Sequence, residues 1–182
     1  MFNIFSSYIY EQLFSLNIEK IKKEILNLRS EDKGKIVSNH GGWQSQNFKI
    51  VNKNFESLFN NINLSVKEIE KNLGLKNKLS LQNYWCNINY LGSFNMPHEH
   101  HGATISGVYY VNTPKNSGNI VFMNKNLDPF YQKINVYNEY NSSTFKVEAK
   151  ENLCILFPSY LKHYVEPNLN KKERISISFN YG

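Results

Sequence analysis

Asn95-Met96-Pro97-His98-Glu99-His100-His101-Gly102 holds three of the five histidines of this 182-residue chain. A fourth, His163, follows in Phe157-Pro158-Ser159-Tyr160-Leu161-Lys162-His163, and Arg174 begins Arg174-Ile175-Ser176-Ile177-Ser178-Phe179. If His98 opens a strand, alternation turns His98 and His100 to one face, where two imidazoles can share a metal ion. His163, brought in from a strand distant in sequence, completes a face of three ligands and leaves other coordination positions open. Arg174 offers a planar fork suited to a carboxylate. Ser176 falls on the same strand face and can donate to that carboxylate.

Outward from these residues the chain reads as strands. Leu81–Tyr90 is a strand whose Asn87 and Asn89 interrupt an apolar pattern. A buried asparagine needs a hydrogen-bond partner, which can be a cosubstrate, a substrate, the outer nitrogen of a ligating histidine, or simply the sheet. Thr104–Val111 places Ser106, Val108 and Tyr110 on one face and Ile105, Gly107, Tyr109 and Val111 on the other; Tyr110 is the better candidate for the pocket side. A short strand is expected over Asn119–Met123 after the Pro114–Gly118 turn, and another over Thr144–Ala149 with Phe145 and Val147 inward. Leu153–Phe157 is continuously apolar and reads as a central strand, and Glu173–Asn180 closes the sheet. About eight antiparallel strands result. The polar, aromatic stretch 124–142 reads as a substrate loop or a surface insert.

The first third of the chain is different. Ile4–Tyr10 alternates as an edge strand. Leu16–Leu28 and Asn54–Leu73 carry helical spacing, with Gly74 as a C-cap and Ser65 as an alternative start for a separate helix. The segment 30–45 reads as a loop in which Trp43 fills the core or covers the pocket mouth, and His40 is a surface residue or a substrate contact.

The runs Asn95–His100, Ser106-Gly107-Val108-Tyr109-Tyr110-Val111 and Pro114–Phe122, followed by His163 and Arg174-x-Ser176, resemble the Fe(II)- and 2-oxoglutarate-dependent dioxygenases. The likeness is sharpest to the short 2OG-Fe(II) oxygenases of bacteria and marine phages, and Tyr109-Tyr110-Val111-Asn112 is similar to a prolyl hydroxylase strand. The resemblance covers residues 80–182, with a weaker trace over Gly41–Ser45. It implies a mainly β fold with flanking helices, a double-stranded β-helix (jelly roll, cupin-like). The whole of 1–182 would then be one domain, with helical support in 16–74 and the β core in 80–182.

The resemblance also implies Fe(II) held by His98, His100 and His163. 2-Oxoglutarate would chelate the iron and extend its far carboxylate to Arg174, Ser176, Tyr110 and Asn87. O2 would be the second small cosubstrate, and the reaction a hydroxylation of an unidentified substrate releasing succinate and CO2. The family carries Asp or Glu at the second ligand position, where this chain has His100. Three histidines fit that spacing without distortion; a bulge turning Glu99 inward, or His101 in place of His100, gives the two other arrangements. A site without the acid has one more positive charge, which leaves room for halogenase-like or non-catalytic behaviour. Glu99 or Asn95 is expected to hold the outer nitrogen of a ligating imidazole.

Composition sets outer bounds. Hydrophobic residues make up 41% of the chain and aromatics 14%, with twelve Phe and twelve Tyr, which points to a globular β-rich protein. Two cysteines, Cys86 and Cys154, lie in apolar runs and are expected as buried thiols in a reducing, cytoplasmic setting. No apolar run is long enough for a membrane span, and no leader pattern is present. The net charge of +6 permits an anionic partner, but the lysines are scattered and form no aromatic-basic stripe. Besides the oxygenase, three readings stay open: a cupin-like Zn or Fe protein without 2-oxoglutarate, a non-enzymatic metal-stabilised jelly roll, and a nucleic-acid-binding module. A homodimer is compatible with all of them.

Overall fold

The computed structural model describes residues 6–124, 134–138 and 141–182. Strand β1 (Tyr10–Leu13) leads into helix α1 (Ile18–Glu31), whose N-terminus is capped by the Asn17 side chain accepting from the Lys20 N–H. The two-residue strands β2 (Asn39–His40) and β3 (Trp43–Gln44) come next, and a short 3-10 turn (Lys53–Phe55) enters helix α2 (Glu56–Leu73). Gly74 caps α2 in the left-handed conformation, and no second helix starts at Ser65. Glu24 on α1 accepts from the side-chain amides of Asn52 and Asn54, which clips the two helices together.

The rest is sheet: β4 (Leu81–Asn89), β5 (Phe94–His98), β6 (Ile105–Asn112), β7 (Ile120–Met123), β8 (Thr144–Val147), β9 (Leu153–Pro158), β10 (His163–Val165) and β11 (Arg174–Tyr181). Two antiparallel sheets form. One has six strands in the order β1-β9-β6-β11-β4-β3, the other five in the order β2-β5-β10-β7-β8. The protein is thus mainly β with two flanking helices.

Alternation along the strands explains the layering. Even-numbered residues of β4 (Tyr84, Cys86, Ile88) and odd-numbered residues of β11 (Ile175, Ile177, Phe179) face the helices. There they join Ile21, Ile25, Leu58, Phe59 and Ile62 in one large apolar core. The opposite face of the same sheet, through Val108, Tyr110, Ile155 and Phe157, packs on Ile120, Phe122 and Val147 of the second sheet. Where β4, β11 and β6 run side by side, that inner face turns polar and becomes the wall of a cavity.

Several expectations shift. Eleven strands lie among the described residues rather than about eight, because β2, β3 and β10 are too short to show an alternation. The opening strand is Tyr10–Leu13, not Ile4–Tyr10; residues 1–5 lie outside the described part, as do 125–133 and 139–140 of the expected 124–142 loop. β9 is covered by β1 and lies one strand in from the edge. Phe145 was expected inward but is 56% exposed, whereas Val147 on the same strand is buried. β8 is an edge strand, and there the side chain leaves the space between the sheets. Trp43 is buried in the helix-side core and donates from Nε1 to the Asp32 carbonyl at 2.9 Å, so it does not cover the pocket. His40 is an exposed residue packed against Phe94. Among the described residues no helix is long and apolar enough to cross a membrane.

Candidate metal centre

His98 ends β5; it does not begin a strand, so strand alternation is not what brings His98 and His100 together. His100 lies beyond the strand, where its backbone N–H donates to the Ser159 carbonyl at 3.1 Å. His163 opens β10 directly opposite His98 in the β5–β10 register. The three rings converge, with centroids 5.1 Å apart for His98 and His100, 4.4 Å for His98 and His163, and 5.2 Å for His100 and His163. One nitrogen from each lies within 4.8 Å of the others, a spacing that can hold one metal ion. His101 is exposed, and neither it nor Glu99 belongs to that cluster, although Glu99 lines the cavity.

Two of the imidazoles are oriented by the backbone. His98 Nδ1 bonds the Met96 carbonyl at 2.7 Å, and His163 Nδ1 bonds the Leu161 carbonyl at 2.8 Å. Each ring uses the carbonyl two residues before it, which fixes Nδ1 as the protonated nitrogen and leaves Nε2 for a metal. These carbonyls take the outer-nitrogen role expected of Asn95 or Glu99; the Asn95 amide instead donates to Ser38 Oγ. Side-chain identities carry no signal for a carbonyl acceptor, so sequence reading missed it.

Aromatic packing closes the site. Phe157 and Phe122 lie 4.8 and 5.9 Å from the His163 ring, and Trp85 lies 5.6 Å from His100. Burial therefore disfavours the charged imidazolium. It pushes His100 down to about 3 and His163 to about 4, the neighbouring imidazoles adding to the shift, and lowers His98 as well. The rings are neutral at pH 7, as metal ligands must be.

The same cavity, about 480 Å³, reaches Arg174. This guanidinium is 1% exposed. Its Nη1 donates to the carbonyls of Ser117 (2.6 Å), Gly118 (3.1 Å) and Glu166 (3.4 Å), and these three bonds leave Nε and Nη2 unused. Among the described residues no carboxylate forms an ion pair with it; the Glu166 carboxylate pairs with Lys146. A buried cation without a counter-ion is costly unless an anion joins it.

Around Arg174 the register assembles a polar wall. Asn89 stands opposite Arg174 across β4–β11, and Ser176 lies between Asn87 on one side and Tyr110 on the other. All five side chains line the cavity. The sequence parity that assigned Ser176, Tyr110 and Asn87 to one surface thus describes the structure, while Tyr109 points to the helix side. Asn87 is partly spoken for, since its amide donates to Ser178 Oγ at 3.1 Å. Burial raises Tyr110 to about 12, against the opposing pull of Arg174, so its hydroxyl stays a donor.

The family described as "Putative 2OG-Fe(II) oxygenase" matches residues 83–180, and the chain belongs to that family. No curated protein matches the sequence. Solved structures share the fold at low identity. A prolyl-4-hydroxylase from Pseudomonas putida is 15% identical with a TM-score of 0.68, covering 95% of this chain and 91% of that one. The non-haem α-ketoglutarate-dependent epimerase SnoN from nogalamycin biosynthesis is 13% identical with a TM-score of 0.73, over 95% and 77% of the two chains. A viral collagen prolyl hydroxylase from Paramecium bursaria Chlorella virus-1 is 12% identical with a TM-score of 0.61, over 96% and 95%.

Proposed function

We propose that this chain is an Fe(II)- and 2-oxoglutarate-dependent oxygenase that hydroxylates a substrate held in the cavity. One observation carries the reading: a single cavity is lined both by the imidazole trio and by a buried guanidinium without a carboxylate partner. The two facing sheets are read as a double-stranded β-helix, and residues 1–182 as one oxygenase unit with helical support over 16–74 and β core over 80–182.

In this reading His98, His100 and His163 hold the iron through neutral nitrogens, and the Met96 and Leu161 carbonyls keep two of the rings in place. Iron bound there supplies the O2 chemistry that couples decarboxylation of 2-oxoglutarate to succinate and CO2 with oxidation of the substrate. Arg174 fixes the far carboxylate with its free fork edge. The Ser176 and Tyr110 hydroxyls are placed to donate to the same group, and the Asn89 amide stands within that ring of donors. Phe122, Phe157 and Trp85 limit water around the ligands, which strengthens each electrostatic contact inside.

The test is direct. Purified protein loaded with Fe(II) is incubated with 2-oxoglutarate in air, and succinate is quantified with and without the metal. Metal- and O2-dependent succinate is the expected result. A second reading is favoured by the donor set itself, because three imidazoles with an open position also suit zinc. Tight zinc binding with no 2-oxoglutarate binding would put that reading, a metalloprotein without keto-acid turnover, in place of the oxygenase.

A further inference from the structure

The charge of the cavity does not balance with 2-oxoglutarate alone. Its lining carries two cations, Lys35 and Arg174, and one carboxylate, Glu99. The three imidazoles ligate as neutral groups, so a bound divalent ion keeps both of its charges. Among the described residues no carboxylate joins the histidine cluster. In a site built from two histidines and one carboxylate, the protein itself cancels one of those charges. Here metal and lining together stand at three positive charges. A keto-acid dianion removes two, and one remains in a half-enclosed space walled by Phe157, Ile120, Val108 and Trp85. An uncompensated charge in such surroundings is unfavourable, and a cavity of one sign concentrates counter-ions.

We infer that the metal centre takes a small monoanion directly as a ligand, which supplies the negative charge that His100 does not, and that this anion binds together with the keto acid. The ligand class is a compact, singly charged donor such as azide, a halide or a pseudohalide. The inference rests on the metal reading of the three histidines. Its keto-acid clause rests on the proposed cosubstrate, but anion binding to the metal alone does not. His100 is the residue that sets this preference, since it alone differs in charge from the acid that its position carries in the family.

The test uses Co(II)-loaded protein and sodium azide, read from the visible ligand-field bands of the metal. Azide is expected to change those bands saturably, both without 2-oxoglutarate and with it at saturation. His100→Asp, checked for folding by circular dichroism and for Co(II) uptake, restores the missing charge. It is expected to weaken azide binding roughly tenfold or more, the effect of placing a unit charge in the ion's own ligand shell. His100→Glu serves if the aspartate variant does not fold.

Equal azide affinity in wild type and a folded, metal-binding variant would overturn the inference. So would the absence of any azide-dependent spectral change in the wild-type protein, which decides the matter even if neither variant folds. Azide and 2-oxoglutarate that exclude one another would remove the joint-binding clause. Titration of 2-oxoglutarate alone reports separately on the oxygenase reading. Loss of keto-acid binding with azide binding intact would end that reading and leave the anion site standing.

Discussion

At the scale of single residues, Arg174 is the most informative side chain, because it has two tasks. Through Nη1 it holds three backbone carbonyls, and through its remaining edge it faces the cavity. Arg174→Lys keeps a positive charge but loses the fork. 2-Oxoglutarate affinity, measured calorimetrically on metal-loaded protein, is expected to fall about 10- to 100-fold, the loss of one or two charge-assisted hydrogen bonds. Unchanged affinity would mean that the keto acid is seated elsewhere. The residue scale is also where the sequence was most readable. His98, His163, Arg174, Ser176 and Tyr110 share the cavity because two-residue periodicity and chain order are visible in a string of letters. The choice among Glu99, His100 and His101 was not readable, since it depends on how the chain leaves β5. The carbonyl acceptors at Met96 and Leu161 were unreadable for a deeper reason: every residue has one.

At the scale of elements, the turn before β7 does what no side chain can. Gly118 sits at φ +87°, and an added Cβ would run into the Glu166 carbonyl and lie 2.8 Å from Arg174 Nη1. Only glycine allows the backbone to come this near the guanidinium. Gly118→Ala is expected to destabilise the protein by roughly 2–4 kcal/mol in urea unfolding, from left-handed strain plus the clash. Gly92→Ala, at φ +81° but in open space, should show only the strain, about 1 kcal/mol. Equal costs at the two positions would refute the close-approach argument. Elements long enough to complete a period were recognised, such as α1, α2, β4, β6 and β11. β2, β3 and β10 were not, because strands of two or three residues are defined by the partners they pair with. The Phe145 error has the same origin: parity assigns a face, but an edge position decides whether that face is covered.

At the scale of the whole molecule, packing His98, His100 and His163 between apolar rings couples the site to stability. The folded-state values of His100 (about 3) and His163 (about 4) lie below the ordinary 6.5 of an unfolded chain. The unfolded state therefore binds more protons between those limits, and stability increases with pH there. The contribution is complete above about pH 6.5 and is lost as the pH falls toward 4 and 3. Metal-free protein should show its thermal midpoint drop by more than about 5 °C between roughly pH 7 and pH 4.5. A flat profile would show that the rings are solvated. The mainly β architecture with outer helices was legible because twenty-four Phe and Tyr residues and a clear change from helical to strand spacing announce it. The division into two sheets followed from family likeness, since no local pattern says which strands share a sheet.

β11 lies between β4 and β6, and it carries Arg174 and Ser176 on one side and the apolar residues that meet the helices on the other. A nascent chain that has emerged only as far as His163 owns all three imidazoles yet has a slot where its sixth and final central ribbon belongs. Iron captured at that stage would sit beside a gap with nothing to grip a keto acid. Insertion of this one ribbon finishes the hydrophobic interior and the cosubstrate seat in a single stroke, so a ribosome-stalled fragment ending before residue 174 should be unable to sequester 2-oxoglutarate.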